Sequence, residues 1–222
     1  PISPLLYYDP AVEKILFCAD KGIPLINYPA PQGGSTAPST FAAEIVQGSA
    51  ESLSGLVLAQ LVRPGTPFIY GAFATVMDMK TTIFSYGAPE MSLMVAAMAQ
   101  LAQHYRLPFF GTAGCSDAKC FDEQACMEAA INISTAAMIG GNMIHDIGYI
   151  EQGLCSSPHM LVASDDIISR TKRILRGIPV DDDTVALDVL DEIGPGGHFL
   201  GHDHTFKRFK TENWRSPLVD RQ

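Results

Sequence analysis

The richest set of candidate ligand-binding side chains lies between residues 70 and 90. The segment YGAFATVMDMKTTIFSYGAPE brings aromatic and acidic side chains close together in the sequence, namely Tyr70, Phe73, Asp78, Tyr86 and Glu90. The whole chain has 24 acidic and 15 basic residues and a net charge of −9. That charge repels phosphate backbones and argues against nucleic acid as a partner. The residue types and the charge together favour a cationic ligand or a protein partner.

A second candidate segment, LPFFGTAGCSDAKC at residues 107 to 120, raises the question of a metal site. Cys115 and Cys120 are separated by four residues and Cys126 lies beyond them, without a CxxC pair. This is not the spacing of a structural zinc site, and a free cysteine is usually a small buried apolar residue. The glycines favour a strand that turns into a loop, with Asp117 facing a ligand. We predict no metal here and a catalytic role for Asp117.

Histidines occur at two places that invite a functional interpretation. His198, His202 and His204 lie in the segment GGHFLGHDHTF, where a structured loop explains them at least as well as a metal site. His145 and Asp146 are better placed, because they follow an apolar segment that is predicted to be a strand. We predict that His145 is catalytic and that Asp146 binds substrate.

The elements that must position these residues recur about every 40 residues. The phrases IPLI, TPFI and LPFF start at residues 23, 66 and 107, and each is typical of a strand buried on both faces with proline at its beginning. Apolar residues at helical spacing precede each phrase. The predicted strands are 23–28, 67–71, 108–112 and 142–147, with the end of another at 2–7, and the predicted helices are 11–21, 41–61, 89–105 and 123–139.

Strands that alternate with helices predict an α/β fold with a parallel sheet. A (β/α)₈ TIM barrel takes about 250 residues, so residues 1–155 are predicted to be roughly the carboxyl-terminal half of one. Residues 156–222 are predicted to be a helical and irregular extension packed on the barrel, with helices at 165–176 and 185–193. A complete open doubly wound sheet is the alternative. In both folds, ligands bind at the carboxyl ends of the strands.

Composition indicates where such a protein works. Apolar residues make up 47% of the chain, but the longest apolar stretches are interrupted before they could span a membrane, which takes about 18 residues. The five cysteines are an odd number at irregular spacing, and a secretory signal pattern is not recognisable. We therefore predict a cytoplasmic protein with no membrane partner.

Several longer phrases resemble the trimethylamine methyltransferase superfamily along almost the whole chain. They are GGSTAPSTFAAEIVQGSAESLSGLVLAQLVRPGTPFIYGAF, MDMKTTIFSYGAPE, GTAGCSDAKCFDEQA and GPGGHFLGHDHTF. Members of that family are larger (β/α)₈ barrels, and these phrases resemble their carboxyl-terminal half. The half-barrel predicted from the repeats agrees with this resemblance.

The resemblance implies that a methyl group moves from a methylated amine to the Co(I) of a corrinoid (cobalamin) carried by a separate partner protein, with no metal bound directly by this chain. Founding members use pyrrolysine, which this sequence lacks; Lys80 and Lys119 lie in the corresponding region. Relatives without pyrrolysine resemble methyltransferases for quaternary amines such as glycine betaine. A quaternary amine is therefore the expected substrate class. Exposed strand edges further predict a homo-oligomer unless another half covers them.

A quaternary ammonium offers no ordinary hydrogen-bond donor, so aromatic faces and nearby carboxylates must recognise it, at about 0.5–2 kcal/mol per cation–π contact. We predict that Tyr70, Phe73, Asp78, Tyr86, Glu90 and Asp146 bind substrate and that His145 and Asp117 are catalytic, in one pocket at the carboxyl ends of the strands. The alternative is a non-catalytic half-barrel that binds a corrinoid protein or a small ligand. An aldolase-like enzyme would need a lysine at a strand end, whereas Lys80 and Lys119 fall in loops.

Overall fold

The computed structural model describes residues 1–221 and shows a mixed α/β chain in which helices predominate. The helices are α1 (Asp9–Lys21), α2 (Phe41–Val62), α3 (Pro89–Tyr105), α4 (Glu123–Met138), α5 (Pro158–Leu175), α6 (Asp182–Val185), α7 (Leu187–Ile193) and α8 (Asp203–Glu212). The chain divides into two compact units, Pro1–Ile167 and the residues from Ile168 onward. The predicted domain boundary at residue 155 stays a prediction.

The strands are short and lie within the first unit. They are β1 (Leu25–Ile26), β2 (Gln32–Gly33), β3 (Phe68–Ile69), β4 (Thr75–Asp78), β5 (Ile83–Phe84), β6 (Phe110–Thr112), β7 (Met143–His145), β8 (Tyr149–Ile150) and β9 (Cys155–Ser156). β1 pairs with β3 and β6 pairs with β7, both in parallel. A parallel bridge from Tyr70 to Phe109 joins the two pairs. The four predicted strand segments are thus neighbours in chain order, and their parallel pairing is confirmed.

The loops that leave these strands build small sheets of their own. β2 pairs in parallel with β4, and β4 pairs with β5 in antiparallel fashion. β8 and β9 form an antiparallel pair after β7. The segments 27–40, 70–89 and 145–158, which follow parallel strands, therefore contain regular structure, which gives their side chains fixed positions.

The helices of the first unit start and end where the local chemistry favours it. Pro89 occupies the first turn of α3, where its missing N–H costs nothing. Arg106 ends this helix in the left-handed region at φ 57°, and Gly22 ends α1 at φ 68°. The Asp122 carboxylate caps α4 by accepting a hydrogen bond from the Ala125 N–H at 2.9 Å. Each of the helices α1 to α4 was predicted from sequence to within two residues at each end.

The core of the first unit lies between the strands and helices α1 to α3. Each buried Phe or Met side chain contributes roughly 1.5–3 kcal/mol relative to an exposed one. The buried residues that form it include Ile15, Ala19, Leu25, Ala59, Phe68, Tyr70, Met91, Val95, Met98 and Phe109.

The amino-terminal segment and the tail depart from the prediction. Residues 2–7 are not a strand; they form a tight turn closed by paired hydrogen bonds between Ile2 and Leu6. α5 begins at Pro158, seven residues before its predicted start. The predicted helix 185–193 is interrupted at Ala186, which adopts φ 50° between α6 and α7. α8, which contains His204 and is capped by His202, was not predicted.

Within the described residues, α2 is the one helix long and apolar enough to span a membrane by length and composition. Its buried positions, however, include Glu44, Ser49, Glu51 and Ser52. The Glu51 carboxylate accepts hydrogen bonds from Ser3 Oγ at 2.6 Å and from the Leu5 N–H at 2.7 Å. These contacts show that one side of α2 packs against the rest of the first unit.

Candidate active site

Strand register decides which side chains face the helices and which face the opposite side, here called the inner face. Leu25 lies beside Phe68, and Tyr70 lies beside Phe109; all of them belong to the core under the helices. Side chains alternate along a strand, so the residues between and after them face the other way. The inner face consists of Ile26, Tyr28, Ile69, Gly71, Phe110, Thr112, Met143 and His145.

A chain of hydrogen bonds crosses the inner face at the carboxyl ends of the strands. Tyr28 Oη lies 2.9 Å from Thr112 Oγ1, which lies 2.9 Å from His145 Nε2. His145 Nδ1 lies 2.8 Å from Asp146 Oδ1. One proton arrangement satisfies every contact: Tyr28 donates to Thr112, Thr112 donates to Nε2, and Nδ1–H donates to Asp146. The network thus fixes the orientation of the imidazole and of the carboxylate beside it.

Aromatic rings hold the same imidazole from two sides. The His145 ring stacks on Phe110 at 4.4 Å with an interplanar angle of 7°. Tyr28 meets both rings edge-on, at 4.9 Å from Phe110 and 5.3 Å from His145. His145 was predicted from the sequence as a site residue. Its direct partners Tyr28, Phe110 and Thr112 were not.

Asp146 combines one buried carboxylate oxygen, on a side chain that is 22% exposed, with an unusual backbone. Its Oδ2 is buried and accepts no hydrogen bond of normal geometry from the described residues. Its backbone lies in the left-handed region at φ 72°, which costs a non-glycine residue about 1 kcal/mol or more. Glu151 and Gln152 in the same loop are also left-handed, at φ 53° and 55°. Strain that is concentrated in this way is typical of functional loops.

The Asp146 charge acts on several neighbouring acids. Burial, followed by the field of Asp146, raises the pKa of the Tyr86 hydroxyl well above its usual range. Burial also raises the pKa of the Tyr28 hydroxyl well above its usual range, although its hydrogen bond with Thr112 opposes the rise, and the field of Asp146 adds to it. Burial, with Asp146 and Asp117 adding to it, raises the pKa of the Cys115 thiol to about 12. All three groups are therefore neutral at pH 7, and among the described residues His145, which is charged only if protonated, is the one basic side chain within 4 Å of the Asp146 carboxylate.

A second aromatic group includes two of the predicted substrate-binding residues. Phe73 lies 4.7 Å from Tyr86 and 6.0 Å from Phe84, and Phe84 lies 5.7 Å from Tyr86. Because the Tyr86 hydroxyl lies in the field of Asp146, these three aromatic rings adjoin the Asp146 carboxylate. The predicted residues Phe73, Tyr86, His145 and Asp146 are therefore brought together.

Asp117 binds to the loop that carries Tyr86. Its carboxylate accepts hydrogen bonds from the N–H groups of Tyr86 at 2.7 Å and Gly87 at 2.9 Å and from the Ser85 hydroxyl. Glu128 holds Asp117 in turn, by accepting from its N–H at 2.9 Å. These contacts describe a carboxylate that fixes the position of the loop; the catalytic role predicted for Asp117 stays a prediction.

The other predicted site residues lie elsewhere. The Tyr70 ring is on the helix side, where its hydroxyl donates to Ser49 Oγ at 2.8 Å. Asp78 is exposed at the β4–β5 turn, where it accepts from the Lys80 N–H at 2.8 Å. Glu90 is half-buried in the first turn of α3. Lys119 is exposed and pairs with Glu151 at 3.4 Å. The structure does not bring Tyr70 or Asp78 to Asp146.

The cysteines are free thiols, and the described residues contain no group of three or more His, Cys, Asp and Glu side chains able to hold a metal ion. The arrangement around Asp146 suits a different ligand. One buried carboxylate oxygen without a donor, next to several aromatic rings, can hold an organic cation through its charge and through cation–π contacts.

The fold and the site define an α/β protein in which a carboxylate, an imidazole and several aromatic rings lie together at the carboxyl ends of adjacent parallel strands. The family model described as trimethylamine methyltransferase (MTTB) matches residues 1–222. The chain belongs to this family, as its motifs predicted.

Individual relatives agree with the family assignment. A trimethylamine methyltransferase MttB from Desulfitobacterium hafniense (strain DSM 10664 / DCB-2) is 35% identical over 221 residues, which are 100% of this chain and 44% of the relative. A glycine betaine methyltransferase from Desulfitobacterium hafniense (strain Y51) is 34% identical over 99% of this chain and 46% of its own length. MttB from Methanosarcina thermophila is 38% identical over 92% of this chain and 42% of its own. The chain spans less than half the length of these relatives.

Proposed function

We propose that this chain is the carboxyl-terminal half of a (β/α)₈ barrel that transfers a methyl group from a quaternary amine to the Co(I) of a corrinoid carried by a partner protein. The relatives named above act on trimethylamine and on glycine betaine, which supports a methylated amine as substrate. Four parallel strands in chain order, with helices between them, support the barrel. A cytoplasmic location and a homo-oligomeric state belong to the same proposal.

The observation that carries the proposal is Asp146 Oδ2, a buried carboxylate oxygen that accepts no hydrogen bond of normal geometry in the described residues and has the Tyr86 hydroxyl as its neighbour. A buried carboxylate oxygen without a well-placed donor is costly, and a bound cation would offset that cost. Methyl groups around a quaternary nitrogen carry part of its positive charge. They offer no N–H, so the charge itself is what attracts them to this carboxylate oxygen. The aromatic rings of Tyr86 and Phe73 supply the cation–π surface.

The transfer itself makes few demands on acid–base groups. The N–CH₃ bond breaks, the nitrogen keeps the electron pair and leaves as a neutral tertiary amine, and the methyl group bonds to cobalt. Cobalt supplies the two electrons of the new bond, and no proton moves. The protein must hold the ammonium in line and exclude water, and such positioning can supply roughly 7–11 kcal/mol.

Within this proposal, His145 is a positioning residue. It holds Asp146 Oδ1 through Nδ1 and is itself held by Thr112 and by Phe110. Because a quaternary amine leaves as a neutral molecule, the imidazole has no proton to donate to it. His145 acts by directing the free oxygen of Asp146 toward the substrate.

The test is methyl transfer from glycine betaine and from trimethylamine to reduced cobalamin. It uses a protein that joins this chain to the amino-terminal half that the relatives possess. We expect Asp146→Asn to raise the KM at least about tenfold, because it removes the counter-charge of a desolvated cation, and Tyr86→Leu to raise it by a smaller factor. Asp20→Asn, an exposed position on α1, is the matched control and should leave both constants unchanged.

Two outcomes would contradict the proposal. If Asp146→Asn and Asp20→Asn behave alike in a folded protein, the site has been misplaced. If the joined protein transfers no methyl group but still binds a corrinoid protein, the non-catalytic half-barrel is the better description.

A further inference from the structure

The second compact unit contains a cleft that the proposed methyl transfer does not use. Its volume is about 760 Å³. It lies between the end of α5 and the segment that follows α8. The cationic residues Arg173, Arg176, Lys210, Arg215 and Arg221 line it, and no Asp or Glu is among its described lining residues.

The charge distribution along the chain makes this cleft unusual. Nine of the 15 basic residues lie from Ile168 onward, balanced there by nine acidic residues. The first 167 residues hold the other six basic and fifteen acidic residues. A cleft lined by basic groups in an otherwise acidic protein concentrates anions from solution.

Two of the arginines have a structural role that leaves their charge available. Arg173 donates from Nη2 to the Glu212 carbonyl at 2.9 Å, and Arg176 donates from Nη2 to the Thr211 carbonyl at 3.1 Å. Carbonyl oxygens do not neutralise a guanidinium. The one nearby carboxylate, Glu212, lies 3.9 Å and 3.5 Å from these two arginines.

The remaining donors are not taken up by carboxylates of the described residues. Arg215 forms no ion pair within residues 1–221, and the Lys210 ammonium lies 5.7 Å from the centroid of the Phe209 ring. Arg221 donates to the Trp214 carbonyl at 3.4 Å. The Trp214 ring is fixed by the Arg170 guanidinium at 5.2 Å from its centroid. Five cations and one shared carboxylate leave an excess of about four positive charges.

We propose that this cleft binds a small anion that bears two or more phosphate groups. An excess of this size matches a di- or triphosphate better than a single phosphate, and guanidinium groups bind phosphate oxygens in pairs. The volume is in the range of small-molecule sites. The flat Trp214 ring offers a surface for an attached base, so inorganic polyphosphates and nucleotides share the chemistry that the cleft recognises.

The test is calorimetric titration of the 222-residue chain with pyrophosphate, tripolyphosphate and ATP at low and moderate salt. We expect all three to bind, and the double substitution Lys210→Ala with Arg215→Ala to weaken each at least about tenfold. Lys172→Ala with Lys207→Ala is the matched control, because both side chains are exposed on the helices that border the cleft, α5 and α8, and neither lines it. Tighter binding of ATP than of tripolyphosphate would indicate that the base contributes.

The proposal is overturned if none of the three binds at millimolar concentration, or if both double variants weaken binding equally, which would indicate only diffuse attraction. Binding of a polyglutamate peptide without binding of pyrophosphate would also overturn it, in favour of a surface for an acidic protein. Folding of each variant is checked by its circular dichroism. None of these outcomes depends on methyl transfer, so the proposed function stands or falls separately.

Discussion

Glu44 shows how one buried acid can make stability depend on pH. The side chain is fully buried in α2, and neither carboxyl oxygen accepts a hydrogen bond of normal geometry. Burial raises its pKa from 4.5 to about 7, although the nearby N–H groups of Thr75 and Gly33 partly oppose the rise. The folded protein therefore holds this proton more tightly than the unfolded chain does.

We expect the free energy of unfolding to fall by roughly 3 kcal/mol as the pH rises from about 4.5 to about 7, because a raised acid pKa stabilises the fold only while the group is protonated. Glu44→Gln should remove most of this slope, because its amide stays neutral at every pH. Urea denaturation at pH 5 and pH 8 measures the effect. Glu13→Gln, on the exposed side of α1, is the control. An unchanged slope in Glu44→Gln would refute the assignment.

Which individual residues reach the site was only partly predictable. Residue type alone suggested Tyr70, but Tyr70 occupies the fifth position of its repeated phrase, TPFIYG, and that position faces the helices. Tyr28 and Thr112 occupy the sixth position of IPLINY and LPFFGT, and that position faces inward. A register error of one residue exchanges the two faces, and sequence without pairing does not fix register. The alignment of the repeats contained this signal.

At the scale of elements, Gly71 is where two strands come closest. A Cβ atom on Gly71 would lie 2.1 Å from the Phe110 carbonyl oxygen and 3.0 Å from the Tyr28 ring. Beside it, the Phe110 N–H donates to the Tyr70 carbonyl at 2.8 Å. A side chain here would have to displace backbone, not merely a flexible side chain.

We expect Gly71→Ala to lower the free energy of unfolding by about 2–3 kcal/mol, because it overpacks the junction of β3 and β6. It should also separate Tyr28 from Thr112, which a loss of ligand binding would report. Gly201→Ala is the control, because a Cβ atom there meets nothing within 4 Å and its φ is not in the left-handed region. Equal stabilities for the two variants in thermal denaturation would contradict the close approach.

Helices were easier to predict than the elements around them. Amphipathic spacing with clear ends located α1 to α4, since both signals are local. The two-residue strands β2, β5, β8 and β9 carry no such pattern and depend on pairing with distant segments. The break at Ala186 depends on a non-glycine residue in a left-handed conformation, which composition does not reveal.

At the scale of the whole molecule, the sheet has two open edges within the described residues. β1 pairs only with β3, and β7 pairs only with β6. Apolar inner-face residues beside these edges are accessible: Ile26 is 38% exposed and Met143 is 45% exposed. Open edges and exposed apolar side chains favour association with further chain.

We expect the chain alone to self-associate at micromolar concentration in light-scattering measurements, and Ile26→Lys to reduce this by placing a charge on the inner face. Val57→Lys, at an exposed position of α2, controls for the added charge. Adding the amino-terminal half of a relative should suppress self-association of the unsubstituted chain. A stable monomer under these conditions would show that the edges need no cover.

The strands of the parallel sheet, β1, β3, β6 and β7, each pair with the one that follows in this order, and this has a consequence for biosynthesis. β1 pairs with β3, Tyr70 pairs with Phe109, and β6 pairs with β7. The partner of each strand is therefore synthesised no more than about 40 residues later. As the polypeptide leaves the ribosome, each strand can add to the sheet already formed without waiting for the carboxyl terminus. Tyr28 and Thr112 leave the ribosome before His145 does, so the imidazole is the last member of the hydrogen-bond chain to become available and can join strands that are already paired.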